Sequence, residues 1–342
     1  MAKKYTAIET WIVQEVKPVE SNSAEQTYER LEKTPGNLPV IDLPQNLNDE
    51  AHFIEEAQIG DFALRLAGAQ KVLDVGCGDG WPLLRLAPLF DSVTGIDASS
   101  RRVARATANA ERLQLKNVTI KQMSMTEMNF PDNSFDGVVA ASAVEQTPDP
   151  YQALREIFRV LKPGGKFQIY FEAYDGEEKG VSERVFITEN EDCYGYHYVL
   201  KHQMPPWERN YLVKFSPTPE MQEEFRRLSN LIERLGSVPA QAPEIGLEFL
   251  ERNQKYIIGG SWYELEHFTT KAMKETLEEI GFSEVRISYS AATFARHFFK
   301  EINPAGLTET QLKTIVIALA NLAVGIDAPA GQGEPIITIK PK

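Results

Sequence analysis

At 342 residues the chain exceeds what one α/β ligand-binding unit requires, so a core domain with a sizeable insertion is expected. A net charge of −13 repels phosphate backbones and takes nucleic acid off the expected partners. Hydrophobic residues at 42% and charged residues at 25% describe an ordinary globular chain, and no apolar run is long enough to span a bilayer.

Residues 1–46 read as an N-terminal arm. Met1-Ala2-Lys3-Lys4 leads into no apolar run of signal-peptide length. The two cysteines, Cys77 and Cys193, suit neither a disulfide framework nor a zinc site, so a reducing cytoplasm is expected. The stretch from Ser21 to Lys33 is polar, and Pro35, Gly36, Pro39 and Pro44 break regular structure after it. Asn48 is positioned to cap a helix over 49–67, with Phe53, Ile54, Ala57, Phe62 and Leu66 on its apolar face and Gly68 closing it.

From there strands and helices alternate. Strands are predicted at Lys71 to Val75, Ser92 to Ile96, Val118 to Gln122, Phe135 to Ala141 and Lys166 to Tyr174. Helices are predicted after Pro82, over Ser99 to Leu113 and over Pro150 to Leu161. This alternation makes residues 47–174 a Rossmann-like, doubly wound α/β core with a mainly parallel sheet. It then stops. Residues 175–265 are rich in aromatics and prolines, with strands expected at Arg184 to Thr188, Tyr194 to Lys201 and Asn210 to Phe215 and a helix over Pro217 to Leu235; they read as an inserted substrate cap. Residues 266–342 complete the core, with a helix over Thr269 to Ile280, a strand over Ser283 to Ser290, one long helical stretch to about Val324 and a strand over Pro335 to Ile339.

The strongest chemical signal is Val72-Leu73-Asp74-Val75-Gly76-Cys77-Gly78-Asp79-Gly80, three alternate glycines between a strand and a helix. Glycine serves where a loop bends sharply and a ligand approaches its backbone. A plain strand-to-helix turn rarely needs three. A dinucleotide fingerprint wants G-x-G-x-x-G, but Trp81 occupies the place of its third glycine, which disfavours NAD. The second signal is Asp97, at the end of the next strand, placed to accept the two hydroxyls of a ribose; a helix cap is the plainer explanation, and Ser99 is the better cap. The third is Phe130-Pro131-Asp132-Asn133-Ser134-Phe135-Asp136, followed by Leu161-Lys162-Pro163-Gly164-Gly165.

In this order and spacing the motifs resemble the class I S-adenosylmethionine-dependent methyltransferases, within the small-molecule group that includes ubiquinone- and menaquinone-type enzymes. The resemblance spans about residues 48–174 and, more loosely, 266–290. It implies S-adenosylmethionine as methyl donor, S-adenosylhomocysteine as product and a small-molecule acceptor. It implies that Asp74 organises the loop and receives the methionine ammonium, that Gly76, Cys77, Gly78 and Gly80 pass close to the donor, and that Ala98 lies beside the adenine. Met125 is implied to offer its N–H and side chain to the ring, and Ala140 to line the methionine end. Two positions depart from the family. Ser124 stands where an acid commonly meets the adenine amino group, so charge assistance is lost. Val144-Glu145-Gln146-Thr147-Pro148-Asp149-Pro150 carries Gln146 where a histidine is common, and glutamine does not titrate.

Any base therefore comes from elsewhere. His202, among the aromatics of the insertion with His197 and Trp207, is the candidate catalytic base; a surface or packing role is the plainer alternative. No histidine pair has metal-site spacing, so no metal is expected. Two further readings use the same fold: a non-catalytic S-adenosylmethionine-binding protein, and a different transferase.

Overall fold

The computed structural model describes residues 6–21, 46–175, 181–189, 192–203, 206–235, 238–240, 242–302, 304, 306–329 and 335–342. Most of the polar stretch after Ser21 and the proline-containing segment 34–44 lie outside the described residues. The chain forms two compact units. One combines residues 1–37 with 177–266, and the other combines 38–176 with 267–342.

In chain order, α1 (Ala7–Trp11), a π-helical turn (Ile12–Val16) and β1 (Val19–Glu20) come first. The core begins with α2 (Glu50–Arg65), capped by Asp49, whose carboxylate accepts from the His52 N–H at 3.1 Å. Asn48, the expected cap, is one residue early. Then follow β2 (Lys71–Val75), α3 (Leu83–Leu86), β3 (Ser92–Asp97), α4 (Ser100–Arg112), β4 (Val118–Gln122) and β5 (Phe135–Ala141). Next come α5 (Pro150–Val160) and β6 (Leu161–Tyr170). Pro150 opens α5 at its first turn and Asp149 caps it. The expected fifth strand starts earlier and ends earlier than its sequence suggests, because the Lys162-Pro163-Gly164-Gly165 turn is taken into β6 at an irregularity opposite Phe135 and Gly137.

The insertion contains β7 (Val181–Glu189), β8 (Tyr194–Gln203), β9 (Pro206–Phe215), α6 (Pro219–Leu235), β10 (Val238–Pro239), α7 (Leu247–Asn253) and β11 (Ile257–Glu266). The ten-residue strand β11 is not expected from the sequence, because two adjacent glycines, Gly259 and Gly260, interrupt its pattern. The core resumes with α8 (Thr270–Ile280), β12 (Ser283–Ile287), α9 (Ala291–Ile302), α10 (Glu309–Gly325) and β13 (Ile336–Ile339). The long helical stretch is thus two helices, the second opened by a reciprocal cap between Thr308 and Gln311.

The core sheet has seven strands in the order β12-β13-β6-β5-β2-β3-β4. The strands β6-β5-β2-β3-β4 are parallel, and β13 is inserted antiparallel between β6 and β12. The chain runs outward from β2 in one direction through β3 and β4, then reverses through β5 and β6. Ligands of open α/β sheets bind at such a switch point, beyond the carboxyl ends of the strands. A buried polar knot fastens the late elements to this sheet. Asp61 on α2 pairs with Arg65 and accepts from the Tyr170 hydroxyl at 2.6 Å and the Ala291 N–H at 3.1 Å. Arg65 in turn donates to the Tyr289 carbonyl at 2.8 Å.

The other unit is a six-stranded sheet, β1-β11-β9-β8-β7-β10. One face packs a core of Tyr196, Tyr198, Val213, Phe215, Phe225 and Phe249. The N-terminal segment, expected as an arm of its own, is built into this sheet. Ile8 and Ile12 join its core, β1 extends β11 in parallel, and buried Glu9 accepts from Arg209 at 2.9 Å and from the Tyr211 hydroxyl at 2.8 Å. A mainly apolar, short N-terminal helix finds its partner here because α1 is too short to be stable alone.

The Asp61 knot yields a prediction. Asp61→Asn keeps the shape of the side chain but leaves the Arg65 guanidinium buried without its countercharge. A loss of about 3–5 kcal/mol in urea denaturation is expected, the range for breaking a buried ion pair from one side.

Candidate donor site at the switch point

The loop after β2 folds back onto the neighbouring strand. The N–H groups of Gly76 and Cys77 both reach the Ile96 carbonyl, at 2.8 and 2.9 Å. This return needs glycine. Gly76 has φ +75°, and a Cβ there would lie 2.4 Å from the Cβ of Ala143, on the loop after β5. Gly95 answers a second close approach, since a Cβ on it would meet Leu83 at 2.5 Å and the Cys77 sulfur at 2.8 Å. Glycine loop, β3 and the loop after β5 are thereby drawn together at the switch point.

Two carboxylates sit at the floor. Asp74 is fully buried; one oxygen accepts from the Leu83 N–H at 3.2 Å, and the other, Oδ1, has no hydrogen-bond partner in the structure. Burial pushes its carboxyl well above the usual range; the Leu83 N–H opposes this and the nearby Asp97 charge adds to it. Asp97 accepts from the Gly78 N–H at 3.0 Å and from the Ser99 N–H at 2.9 Å, one on each oxygen. Ser99 is the cap of α4, accepting from the Arg102 N–H at 3.3 Å, so the plainer explanation of Asp97 as cap is not needed.

The remaining expected residues fall as follows. Ala98 is buried directly after Asp97. Met125 is buried, with its methyl group 3.3 Å from where a Gly76 Cβ would be. The Met123 N–H bonds the Asp97 carbonyl at 2.9 Å, which brings the loop after β4 to the same edge. Ser124 spends part of its hydroxyl locally, on the Thr126 N–H at 3.2 Å and the Thr126 hydroxyl at 2.7 Å. Ala140 is fully buried within β5, one residue before its end. The Cys77 side chain turns into the hydrophobic core beside Leu83 and Val93, and burial pushes its thiol up, so only its backbone is available to a ligand. Gly80 closes the loop with its N–H on the Cys77 carbonyl at 2.8 Å.

The histidines divide between the units. His202 opposes Trp207 across the β8–β9 hairpin and stacks on it at 5.0 Å and 3°, and Arg209 lies 4.1 Å from the same indole. Residues alternate along β8, so His202 shares the core-facing side with Tyr196 and Tyr198, and His197 takes the other side. There His197 stacks on Phe186 at 4.6 Å, and its Nε2 is 3.0 Å from the Thr188 hydroxyl. In the core unit, buried His267 stacks on Tyr174 at 4.4 Å, and His52 accepts the Asn46 N–H on Nδ1. No cluster of three metal-ligating side chains occurs among the described residues. No helix among them is long and apolar enough to cross a membrane.

One acid of the Val144–Pro150 motif has no role read from the sequence. Glu145 follows β5 in a 3₁₀ turn (Val144–Gln146), two residues past the Ala143 that touches the glycine loop. It is 1% exposed, accepts from the Glu172 N–H at 3.0 Å on Oε1, and has no hydrogen-bond partner on Oε2. Burial pushes it up to about 7, against the pull of the Glu172 and Glu145 N–H groups, and the Glu172 charge pushes the same way. The local signal for it was an acid in an otherwise apolar strand exit, but its burial came only with the fold.

Comparison with known proteins bears on this geometry. Residues 73–169 match the methyltransferase-domain family. A sterol 24-C-methyltransferase of Aspergillus fumigatus is 42% identical over 113 residues, covering 31% of this chain and 30% of that protein. The 27-O-demethylrifamycin SV methyltransferase of Amycolatopsis mediterranei is 36% identical over 130 residues, covering 36% of this chain and 47% of that protein. The chain thus spans less than half the length of these curated relatives. Among solved structures, the [4+2]-cyclase SpnF aligns over 95% of this chain and 99% of its own with 19% identity and a TM-score of 0.46.

Two expected outcomes follow from the geometry. Gly76→Ala destabilises the fold by about 1–3 kcal/mol through overpacking against Ala143, and Ala143→Gly recovers part of that loss, as a double-mutant cycle in urea would measure. Glu145 carries a pH signature. Its folded carboxyl titrates at about 7, above its ordinary 4.5, so the folded state keeps a proton that the unfolded chain has shed. The stability this group contributes is complete below about pH 4.5 and is lost as the pH rises towards 7. Glu145→Gln removes that loss, so the variant is expected to gain on the parent by up to about 3 kcal/mol between mildly acidic and mildly alkaline buffer.

Proposed function

The chain carries a class I S-adenosylmethionine-dependent methyltransferase domain, and on that premise we propose that the protein transfers a methyl group to a small-molecule acceptor by in-line displacement. The observation that carries the reading is the pair of buried carboxylates at the switch point, with the side-chain-free return of the glycine loop above them. The donor fits these residues. Asp74 has a buried oxygen with no partner, which suits the methionine ammonium, and the space a Gly76 side chain would need is already closed by Ala143. When bound, S-adenosylmethionine supplies a methyl group on a sulfonium, already activated for displacement.

The chain's own residues then have three tasks. Asp74 holds the amino-acid end, and its raised carboxyl ionises readily once a cation is beside it. Asp97, held in place by the Gly78 and Ser99 N–H groups, takes the ribose hydroxyls, with Ala98 and Met125 as the apolar walls of the adenine. Ser124 has one lone pair engaged by Thr126 and offers the adenine amino group a neutral acceptor in place of an acid. Fixing donor and acceptor in line replaces a collision by a unimolecular step and keeps water out. Sterol and rifamycin acceptors of the relatives named above mark the acceptor as a small organic molecule.

Calorimetry tests the reading. The protein is expected to bind S-adenosylmethionine and S-adenosylhomocysteine and to show no heat with NAD. Asp97→Ala should weaken donor binding by about 1.5–3 kcal/mol, the scale of a lost charged hydrogen-bond partner. Tighter binding of NAD than of the methyl donor would end this reading.

A further inference from the structure

Glu145 stands apart from the donor contacts. It lies on the loop after β5, and Ala143 of that loop touches the glycine loop. Two buried polar atoms without partners sit close together in sequence here, Glu145 Oε2 and the Thr147 hydroxyl. An unsatisfied buried acceptor costs on the order of 1–3 kcal/mol and more for a charged group, so two on one short loop point to a ligand that completes them. What completes a carboxylate oxygen is a hydrogen-bond donor.

We infer that Glu145 takes the proton of the methyl acceptor, and that the acceptor is a hydroxyl compound. This rests on the methyl-transfer reading above. The step balances without another reactant. The acceptor oxygen attacks the methyl carbon, the O–C bond forms as the S–C bond breaks, and the bonding pair leaves with sulfur as a neutral thioether. The hydroxyl proton passes to Glu145 Oε2. The choice of hydroxyl follows from need. A neutral amine or a thioether attacks a sulfonium methyl with its own lone pair and needs no base first, whereas a neutral hydroxyl is a poor nucleophile until its proton is accepted.

The surroundings tune the acid for this work. Burial is the main influence on it, and the charged group bearing on it is Glu172, on the chain that leaves β6. On α5, which packs against the same turn, the nearest acid in sequence is Asp149, whose carboxylate is engaged by the Gln152 N–H at 2.9 Å. Both influences of charge and burial hold the carboxyl near neutrality, where a general base is most effective. His202, by contrast, presents its ring face to Trp207 on the core-facing side of its sheet.

The test uses the full chain with S-adenosylhomocysteine bound. Infrared difference spectra across a pH titration should show one protonated carboxyl that ionises near pH 7, absent from Glu145→Gln and shifted but present in Glu145→Asp. Methyl-labelled donor is then offered a panel of phenols and aliphatic alcohols beside matched primary amines. O-methyl products are expected, with a rate that rises with pH through about 7 and falls at least about 100-fold in Glu145→Gln, while donor affinity stays within about twofold. The inference is overturned by the absence of such a carboxyl, by its persistence in the Gln variant, by N-methyl products, by a panel without O-methyl product, or by undiminished O-methylation in Glu145→Gln. Failure to bind the methyl donor at all would instead overturn the methyl-transfer reading itself, so the two are separable.

Discussion

Keeping two carboxylates dry at the ends of adjacent parallel strands is the constraint around which the candidate donor site is arranged. Asp74 is fully buried and Asp97 is 3% exposed, and an ionised carboxylate away from water is costly unless donors surround it. The chain supplies those donors from its own backbone. The N–H groups of Gly78, Leu83 and Ser99 are aimed at the two acids because the glycine loop curls back to the end of β3 and α4 begins directly after it. The curl itself is possible only where side chains are missing, at Gly76 against Ala143 and at Gly95 against Leu83 and Cys77. Sterics and hydrogen bonding are therefore one problem here, and Asp74 Oδ1 is the buried oxygen that the backbone leaves without a donor.

The same accounting of buried charge explains how distant parts of the chain are held. Asp61 and Arg65 lie one turn apart on α2, and each is buried. Neither is satisfied by the other alone. Tyr170 from β6 and the N-terminus of α9 complete Asp61, and the Tyr289 carbonyl helps complete Arg65. An antiparallel β13 then closes the sheet beside β6, with Ile336 opposite Ile169. In the other unit Glu9 and Arg209 play the corresponding part, joining the first helix to a strand some 200 residues later, with Tyr211 and Glu264 as further partners. In both units a buried ion pair is stitched into a network, which is the condition under which burying charge does not destabilise.

Local chemistry made the donor domain legible in the sequence by itself. Strands β2, β4 and β5 lie where hydrophobic runs between turn residues put them, and Ser99, Pro150 and Thr269 start helices as side-chain caps and a first-turn proline should. Glycines followed by an acid about twenty residues on mark a tight loop and a strand-end carboxylate, because both depend on backbone conformation within a few residues. What only the tertiary structure decided depends on partners far along the chain. The first helix belongs with the insertion because Glu9 needs Arg209; β11 is a strand because β9 pairs along its whole length, despite Gly259 and Gly260; and His202 faces a core because the hairpin register sets it beside Trp207. Glu145 shows the division most clearly. In the sequence it is one acid among 49 acidic residues, and the Val144–Pro150 motif that contains it draws attention to Gln146 instead. Its titration near neutrality arises from desolvation, and desolvation is a property of the packed fold that no local sequence pattern contains.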